Sequence, residues 1–468
     1  MLSYPLFRMK ELRVTQSNDV NPVNVKTVAT PSASIDAAET SMIRRYVLSA
    51  SAGTALEYFD FAIYGLAAAL IFNPLFFPNV SPLIGFLASF ATFAVGYLAR
   101  FIGGVVLGYY GDKLGRKFVL VVTIGLMGAS TVLIGLLPTY EQVGLLAPVL
   151  LVLLRICQGF GAGAEIAGAT TLLVEVAPIG KRGYIGSFVS LGTNVGTIVA
   201  LGVWMLVSML PESSLLTWGW RIPFLASIGV VIYTLWLRRN LDESPAFNAN
   251  ANRQEEFHFP TYMKDLLKNG RSSLFRAVGL RMGESGPSSF YQVFLVGYIV
   301  SELHLDRTVA TSALLVTSFV CFAVIPLAGK LSDHFGRRKM YLFFTAWSFI
   351  WCIPALLLLG TGQYPLILLA FLGGYGVGVV GTYVVQLAYL PELFGSKYRN
   401  GGLATSKELG GLLSGGLVPV VAASLMALFG SVWVIAAYIM LLALVAFVTA
   451  WRSPETMNRD LVDAADAA

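Results

Sequence analysis

Gly108-Tyr-Tyr-Gly-Asp112-Lys113-Leu-Gly115-Arg116-Lys117 stands between two long apolar runs, and its pattern returns as Gly329-Lys-Leu-Ser-Asp333-His334-Phe-Gly336-Arg337-Arg338. The copies begin at 108 and 329, an offset close to half of the 468 residues. A charged pattern repeated between apolar segments at that interval implies two homologous halves inside a membrane, and hence a transporter. A second pair supports the duplication: Glu175-Val-Ala-Pro-Ile-Gly-Lys-Arg182 matches Glu392-Leu-Phe-Gly-Ser-Lys-Tyr-Arg399, each Glu seven residues before its Arg.

Composition agrees. Hydrophobic residues make up 56% of the chain and charged residues 12%, too little charge to cover a soluble protein of this length. Apolar runs of about 20 residues, the length that spans a bilayer, fall at roughly 46–71, 83–109, 118–138, 145–174, 184–210, 221–238, 276–300, 308–330, 341–360, 365–389, 401–428 and 431–451. The expected fold is therefore an all-α membrane protein with 12 transmembrane helices in two pseudo-symmetric six-helix bundles, one of the known transporter architectures. Residues 1–42 read as a disordered tail, 43–239 as the first bundle, 240–275 as a linker, 276–452 as the second bundle and 453–468 as a short tail. Within the linker, Tyr262 to Leu267 offer a short amphipathic helix, but the favoured reading is a solvated linker. Lys113, Arg116, Lys117, Lys181, Arg182, Arg337, Arg338 and Lys339 fall in loops on one side, whereas the opposite loops hold only Arg221 and Arg307. That asymmetry places both termini in the cytoplasm and the chain in the cell (inner) membrane.

Other classes lack support. The net charge of +6 is spread over membrane edges rather than gathered in a patch, so no nucleic-acid partner is expected. Cys157, Cys321 and Cys352 lie within apolar runs and suit packing rather than disulfides. His258, His304 and His334 form no metal-spaced cluster, and no nucleophile motif or nucleotide loop is present. No catalytic residue, metal or cofactor is expected, and the chain reads as a monomer.

The paired loops resemble the signature of the major facilitator superfamily. Gly53-Thr-Ala-Leu-Glu57-Tyr-Phe-Asp60-Phe-Ala-Ile-Tyr64-Gly65, Arg155-Ile-Cys-Gln-Gly159-Phe-Gly-Ala-Gly-Ala-Glu165, Trp218-Gly-Trp220-Arg221-Ile-Pro223-Phe224 and Glu243-Ser-Pro245-Ala-Phe247 narrow the resemblance to the metabolite:proton symporters. Members carry shikimate, 2-oxoglutarate, citrate, aromatic acids, proline or glycine betaine. The resemblance implies proton-coupled uptake by alternating access and covers about residues 43–456. The chain departs from the family's frequent Glu-Trp-Tyr-Asp at Glu57-Tyr58-Phe59-Asp60, and from Gly-Gly-Glu-Tyr at Gly163-Ala164-Glu165-Ile166; it keeps the acids and changes the pocket contacts. Nothing after Arg452 could form the long coiled coil of the osmosensory betaine and proline members, which favours an organic anion over a zwitterion. Uniport, efflux and a transporter-like sensor are the remaining alternatives.

Nine ionisable residues fall inside the apolar runs, away from their ends: Glu57, Asp60, Arg100, Arg155, Glu165, Arg281, Glu284, Lys407 and Glu408. Each costs about 2.5–3.5 kcal/mol at a helix centre, so each must face a cavity or a partner. Glu57 and Asp60 share a helix face, and two carboxylates so close in a low dielectric resist ionising together. They are the candidates for carrying a proton, Asp60 first, with Glu165 as a third. Arg100 lies about 18 Å along a helix from Asp112, near mid-membrane, and its fork suits a substrate carboxylate. Arg155, Arg281, Glu284, Lys407 and the aromatic residues Tyr64 and Tyr291 complete the expected substrate contacts; Arg155 pairing with Glu57 or Asp60, and Arg281 with Glu284, are the alternatives. Asp112, Arg116, Glu175, Arg182, Asp333, Arg337, Glu392 and Arg399 share one membrane edge and read as a latch that pairs when that side closes.

Overall fold

The computed structural model describes residues 32–79, 82–239, 243 and 258–461. The rest of the expected tails and linker lies outside them. The chain separates into two units, Met1–Ser41 and Met42–Ala468; the description below concerns the second.

Among the described residues twelve long helical segments follow one another and no strand occurs. They are α1 (Ser32–Leu70), α2 (Pro82–Leu114), α3 (Arg116–Gly135), α4 (Leu146–Val176), α5 (Arg182–Val207) and α6 (Arg221–Arg239). The second set is α7 (271–301), α8 (Arg307–Phe335), α9 (Arg337–Leu359), α10 (Tyr364–Glu392), α11 (Arg399–Met426) and α12 (Val432–Trp451). Nine of these are long and apolar enough to cross a membrane. Helix α7 is not among the nine, because Arg271, Arg276, Arg281 and Glu284 stand among its serines and glycines. A polar helix of this kind belongs against other protein rather than lipid, and the buried run from Ala277 to Pro287 bears that out.

Two expectations need correction. The helical chain begins at Ser32, before the end of the expected disordered tail, where Ala33, Ala37, Ala38 and Glu39 are strong helix formers. Inside the linker, residues Phe259–Asn269 form a helix rather than a solvated loop. Tyr262 and Leu266, one turn apart on its inner face, are both buried. Lys397 hydrogen-bonds Asp265 at 2.7 Å and, with the Tyr398 hydroxyl, holds that carboxyl below the usual carboxylate range.

Within the first half, α4 packs on α2 and α3, and α3 on α6; within the second, α12 packs on α7 and α9. The halves meet mainly through α2 on α11 and α5 on α8, two crossings related by the repeat. The first glycine of each repeated motif makes these crossings possible. A Cβ on Gly108 would meet the Gly401 Cα at 2.9 Å, and one on Gly329 would meet the Gly183 carbonyl oxygen at 2.7 Å. Backbone cannot yield as a side chain can, so small residues let the helices approach.

Gly329→Val is expected to destabilise the protein by about 1–3 kcal/mol through overpacking. Gly125→Val, where an added Cβ would meet nothing within 4 Å, serves as control. Melting curves of the purified variants check this; equal melting of the two would contradict the close-approach argument.

Candidate functional site

At the end of the bundle that carries both repeated motifs, each motif Asp caps a helix of the opposite half. Asp112 of α2 accepts from the backbone N–H of Asn400 at 3.2 Å and Gly401 at 2.8 Å, at the start of α11. Asp333 of α8 accepts from Gly183 at 2.8 Å and Tyr184 at 2.7 Å, at the start of α5. An anion at a helix N-terminus satisfies orphan donors and meets the positive end of the dipole. Two buried glutamates complete the arrangement. Glu175 takes Arg116 at 3.2 Å and Arg399 of the other half at 3.0 Å. Glu392 takes Arg337 at 3.3 Å and Arg182 of the other half at 4.0 Å. All eight residues expected to form a latch are thus brought together. Tyr262 adds its hydroxyl to Asp112 at 2.7 Å.

Two residues that were not among the expected latch charges extend this end. Glu243 accepts from the backbone of Arg116 and Lys117 at 3.0 and 3.1 Å, and Glu455 does the same for Arg337 and Arg338 at 2.8 and 3.1 Å. The C-terminal segment crosses between the halves: Arg182 donates to the Arg459 carbonyl at 2.6 Å, and Arg399 to that of Leu461 at 2.7 Å.

Midway along the helices, Arg100 bridges the two halves. Its Nη2 pairs with Glu57 of α1, and its Nε donates to Glu408 of α11 at 3.0 Å. Lys407 donates to the other oxygen of Glu408 at 2.7 Å. Glu57 and Glu408 are almost wholly buried. Glu57 is therefore engaged by a permanent cation, and the Arg100 fork expected to meet substrate is engaged by two carboxylates.

Asp60 is placed differently. It is 2% exposed, accepts from Thr131 Oγ1 at 2.7 Å through Oδ2, and its Oδ1 has no hydrogen-bond partner among the described residues. Gln158 Nε2 donates to Thr131 Oγ1 at 2.6 Å, and Arg155 Nη1 donates to Gln158 Oε1 at 2.6 Å. The chain Arg155–Gln158–Thr131–Asp60 links cation and carboxylate through two neutral groups. It replaces the direct Arg155 pair considered from sequence. Arg155 also lies 3.9 Å over the ring of Tyr64, whose hydroxyl donates to Thr92 at 2.7 Å. Thr131 and Gln158 went unnoticed in the sequence because neutral polar residues in apolar runs carry no charge signal.

Glu165, the third carboxylate expected to carry a proton, is locked. Arg238 grips both of its oxygens, with Nη1 on Oε2 at 2.9 Å, and Thr123 adds a bond of 2.5 Å. Both members of the pair are fully buried. Arg238 sits near the end of α6, next to Arg239, and looked like an edge residue; its signal was that a buried Glu165 requires a cation.

In the second half, Arg281 pairs with Glu284 one turn away and lies 5.8 Å over the Tyr383 ring. Two small cavities lie where the halves meet. One is lined by Tyr58, Asn194, Glu284, Ser288, Tyr375 and Tyr383. The other is lined by Thr170, Arg281, Tyr383, Gln386 and Lys407, with apolar neighbours. Their free volumes, about 20 and 10 Å³, admit about a water each. Arg281, Glu284 and Lys407 thus face the cavities. Tyr291 lines neither; it packs against Phe290 and Phe371 in the apolar core of the second half, where its neighbours offer ring edges and no polar opening.

The description "Sugar (and other) transporter" matches residues 46–258, and "Major Facilitator Superfamily" matches 280–465. The putative transporter YdfJ of Escherichia coli K12 is 41% identical over 87% of this chain and 96% of its own length. The shikimate transporter of the same strain is 35% identical over 88% of this chain and 94% of its own, and its proline/betaine transporter 33% over 91% and 86%. Among solved structures, the proton:xylose symporter XylE bound to 6-bromo-6-deoxy-D-glucose overlays with a TM-score of 0.74. That overlay covers 91% of this chain and 99% of XylE at 19% identity, a likeness of fold.

Two predictions follow from the geometry. Arg238→Ala strands a buried carboxylate and is expected to cost about 3–5 kcal/mol, whereas Arg238→Met with Glu165→Met removes both charges and recovers most of it; membrane yield and thermal unfolding report the difference. Asp112→Ala with Asp333→Ala removes both cross-half caps. It is expected to open the motif end, read as at least about fivefold faster thiol labelling of a cysteine placed at Ser187, since the two caps together contribute about 1–4 kcal/mol.

Proposed function

The chain belongs to the major facilitator superfamily, and from that membership we propose that it is a proton-coupled symporter for a small organic acid, working by alternating access. Its relatives are membrane transporters, and it is a multi-pass secondary transporter of small molecules. Coupling, substrate class and orientation are the finer reading. The observation that carries the coupling is Asp60: among the described residues it is a buried carboxylate with no direct ion pair, while Glu57, which also leaves one oxygen unpartnered, and Glu165 are held by arginines. A group that must gain and lose a proton in each cycle cannot be tied to a permanent cation. Thr131 gives Asp60 one fixed bond, and opening of the cavity would admit water to the other oxygen.

An organic anion is supported by the cations gathered around the cavities, Arg281 and Lys407 lining one of them and Arg100 behind Glu408. The lysine- and arginine-rich loops support a cytoplasmic motif end and cytoplasmic termini. In this reading the structure is closed on the cytoplasmic side. The proton and the anion bind from outside, neutralised Asp60 lets the loaded carrier close, and loss of the proton inside releases the substrate. The six-helix halves, 43–239 and 276–452, move as the two rocking bodies. A zwitterionic substrate such as proline or betaine is the second reading, favoured by the Arg281–Glu284 pair, whose two charges each face one cavity.

Uptake of labelled shikimate, 2-oxoglutarate, benzoate, proline and glycine betaine into proteoliposomes, with and without an inward proton gradient, tests both readings. Asp60→Asn is expected to abolish the gradient dependence, a loss of about 10²-fold or more in driven uptake if one proton provides the coupling. Exchange of substrate should persist in this variant and become insensitive to pH. Gradient-driven uptake at the wild-type rate by Asp60→Asn would exclude Asp60 as the carrier of the proton.

A further inference from the structure

We propose that Glu408 stands in for the substrate's carboxylate in the empty carrier, holding Arg100 until an entering organic anion takes its place. The proposal rests on the organic-acid reading given above and adds to it the group with which the substrate competes.

Three observations carry it. First, both oxygens of Glu408 are occupied by cations: Arg100 Nε at 3.0 Å on one, Lys407 Nζ at 2.7 Å on the other. A carboxylate between two cations describes the position that an organic anion would seek. Second, the two cations belong to different halves, Arg100 on α2 and Lys407 on α11. Glu57, on α1, travels with Arg100, so the Nη2 end of the guanidinium keeps its partner when the halves part. The Nε end does not, because Glu408 leaves with α11. Third, Glu408 is buried and the helices close tightly on it. Glu408 is 3% exposed, and a Cβ on Gly104 would come within 3.1 Å of its Cγ. Closing the halves there with the Nε end unpaired would bury a charged donor that Glu57, held at Nη2, does not satisfy.

An alternating-access carrier must close twice in each cycle, once loaded and once empty. Loaded, the substrate's carboxylate satisfies Arg100. Empty, something inside the protein must do so, and Glu408 is the carboxylate in position. A substrate with one carboxylate free of neighbouring bulk fits the exchange, because the gap it fills is one carboxylate wide. Glu408 then rests on Lys407 alone. The same competition makes Glu408 an internal brake on binding, which gives its removal a signature that a simple structural strut would not have.

Net uptake requires the empty carrier to return; exchange of internal for external substrate does not. The test therefore compares, in proteoliposomes, gradient-driven net uptake into empty vesicles with exchange into vesicles preloaded with unlabelled compound. Labelled shikimate is the first probe, with benzoate and 2-oxoglutarate as the next carboxylates. In Glu408→Gln, net uptake is expected to fall about tenfold or more, because empty closure now leaves the Nε end of Arg100 without a carboxylate, while exchange stays within about twofold. The half-saturating concentration in exchange should fall severalfold as the internal competitor is lost, and the residual uptake should still follow the proton gradient, unlike that of Asp60→Asn. Glu408→Asp keeps the charge with a shorter reach and should recover part of the net uptake; if Glu408→Gln is not inserted, its ratio of net uptake to exchange decides alone. Parallel loss of net uptake and exchange, or no change in their ratio, would overturn the proposal. A wild-type protein that carries none of the three carboxylates would instead remove the organic-acid reading, and this proposal with it.

Discussion

Arg100 carries a charge that it cannot shed, at a depth where water is scarce, and the rest of the centre is arranged around that constraint. A guanidinium in a bilayer must be paired wherever the protein stands in its cycle. Glu57 supplies a partner from the same half, and Glu408 one from the other. The second bond makes the closed state sensitive to what lies between the halves, because it forms only when α2 and α11 approach. The close crossing of those helices through Gly104 and Gly108 is what lets it form. Packing and electrostatics therefore act on the same coordinate, the separation of the halves.

At the motif end the same coordinate is governed by a different device. Asp112 and Asp333 do not meet cations of the opposite half; they meet the N-termini of its helices. A helix terminus presents several N–H donors in fixed directions, so these bonds form only at one docking geometry and vanish together when the helices separate. Glu175 and Glu392 then collect one arginine from each half. Arg459 and Leu461 lend backbone carbonyls to Arg182 and Arg399 and so tie the C-terminal segment to the closed arrangement.

Much of this was legible in the sequence. The repeat, its offset and the positive-charge asymmetry specify two six-helix halves, and the eight charges of the motif end were identifiable because their spacing is duplicated. The centre was legible only in part. Position along a helix gives depth, so Arg100, Asp60 and Glu165 could be placed near the middle of the membrane. Rotation about the helix axis and the identity of partners are tertiary facts. That is why Arg238 looked like an edge residue, and why Arg155 was expected to touch a carboxylate that it reaches through Gln158 and Thr131. Tyr291 shows the same limit from the other side, since an aromatic residue in α7 suits a cavity wall and an apolar core equally well until the neighbouring helices are in place.

The division between legible and hidden follows the division of labour between the halves. The motif-end bonds are symmetric, as the proposed rocking motion would require if it is to break them together. Symmetry leaves a repeat, and a repeat can be read. The centre is asymmetric: Arg100 corresponds to Cys321 in the second half, and Asp60 to the neighbourhood of Arg281. A binding site that must distinguish one end of a small molecule from the other cannot be built from two identical surfaces. Its residues therefore differ between the copies, and only the packed structure reveals which of them meet.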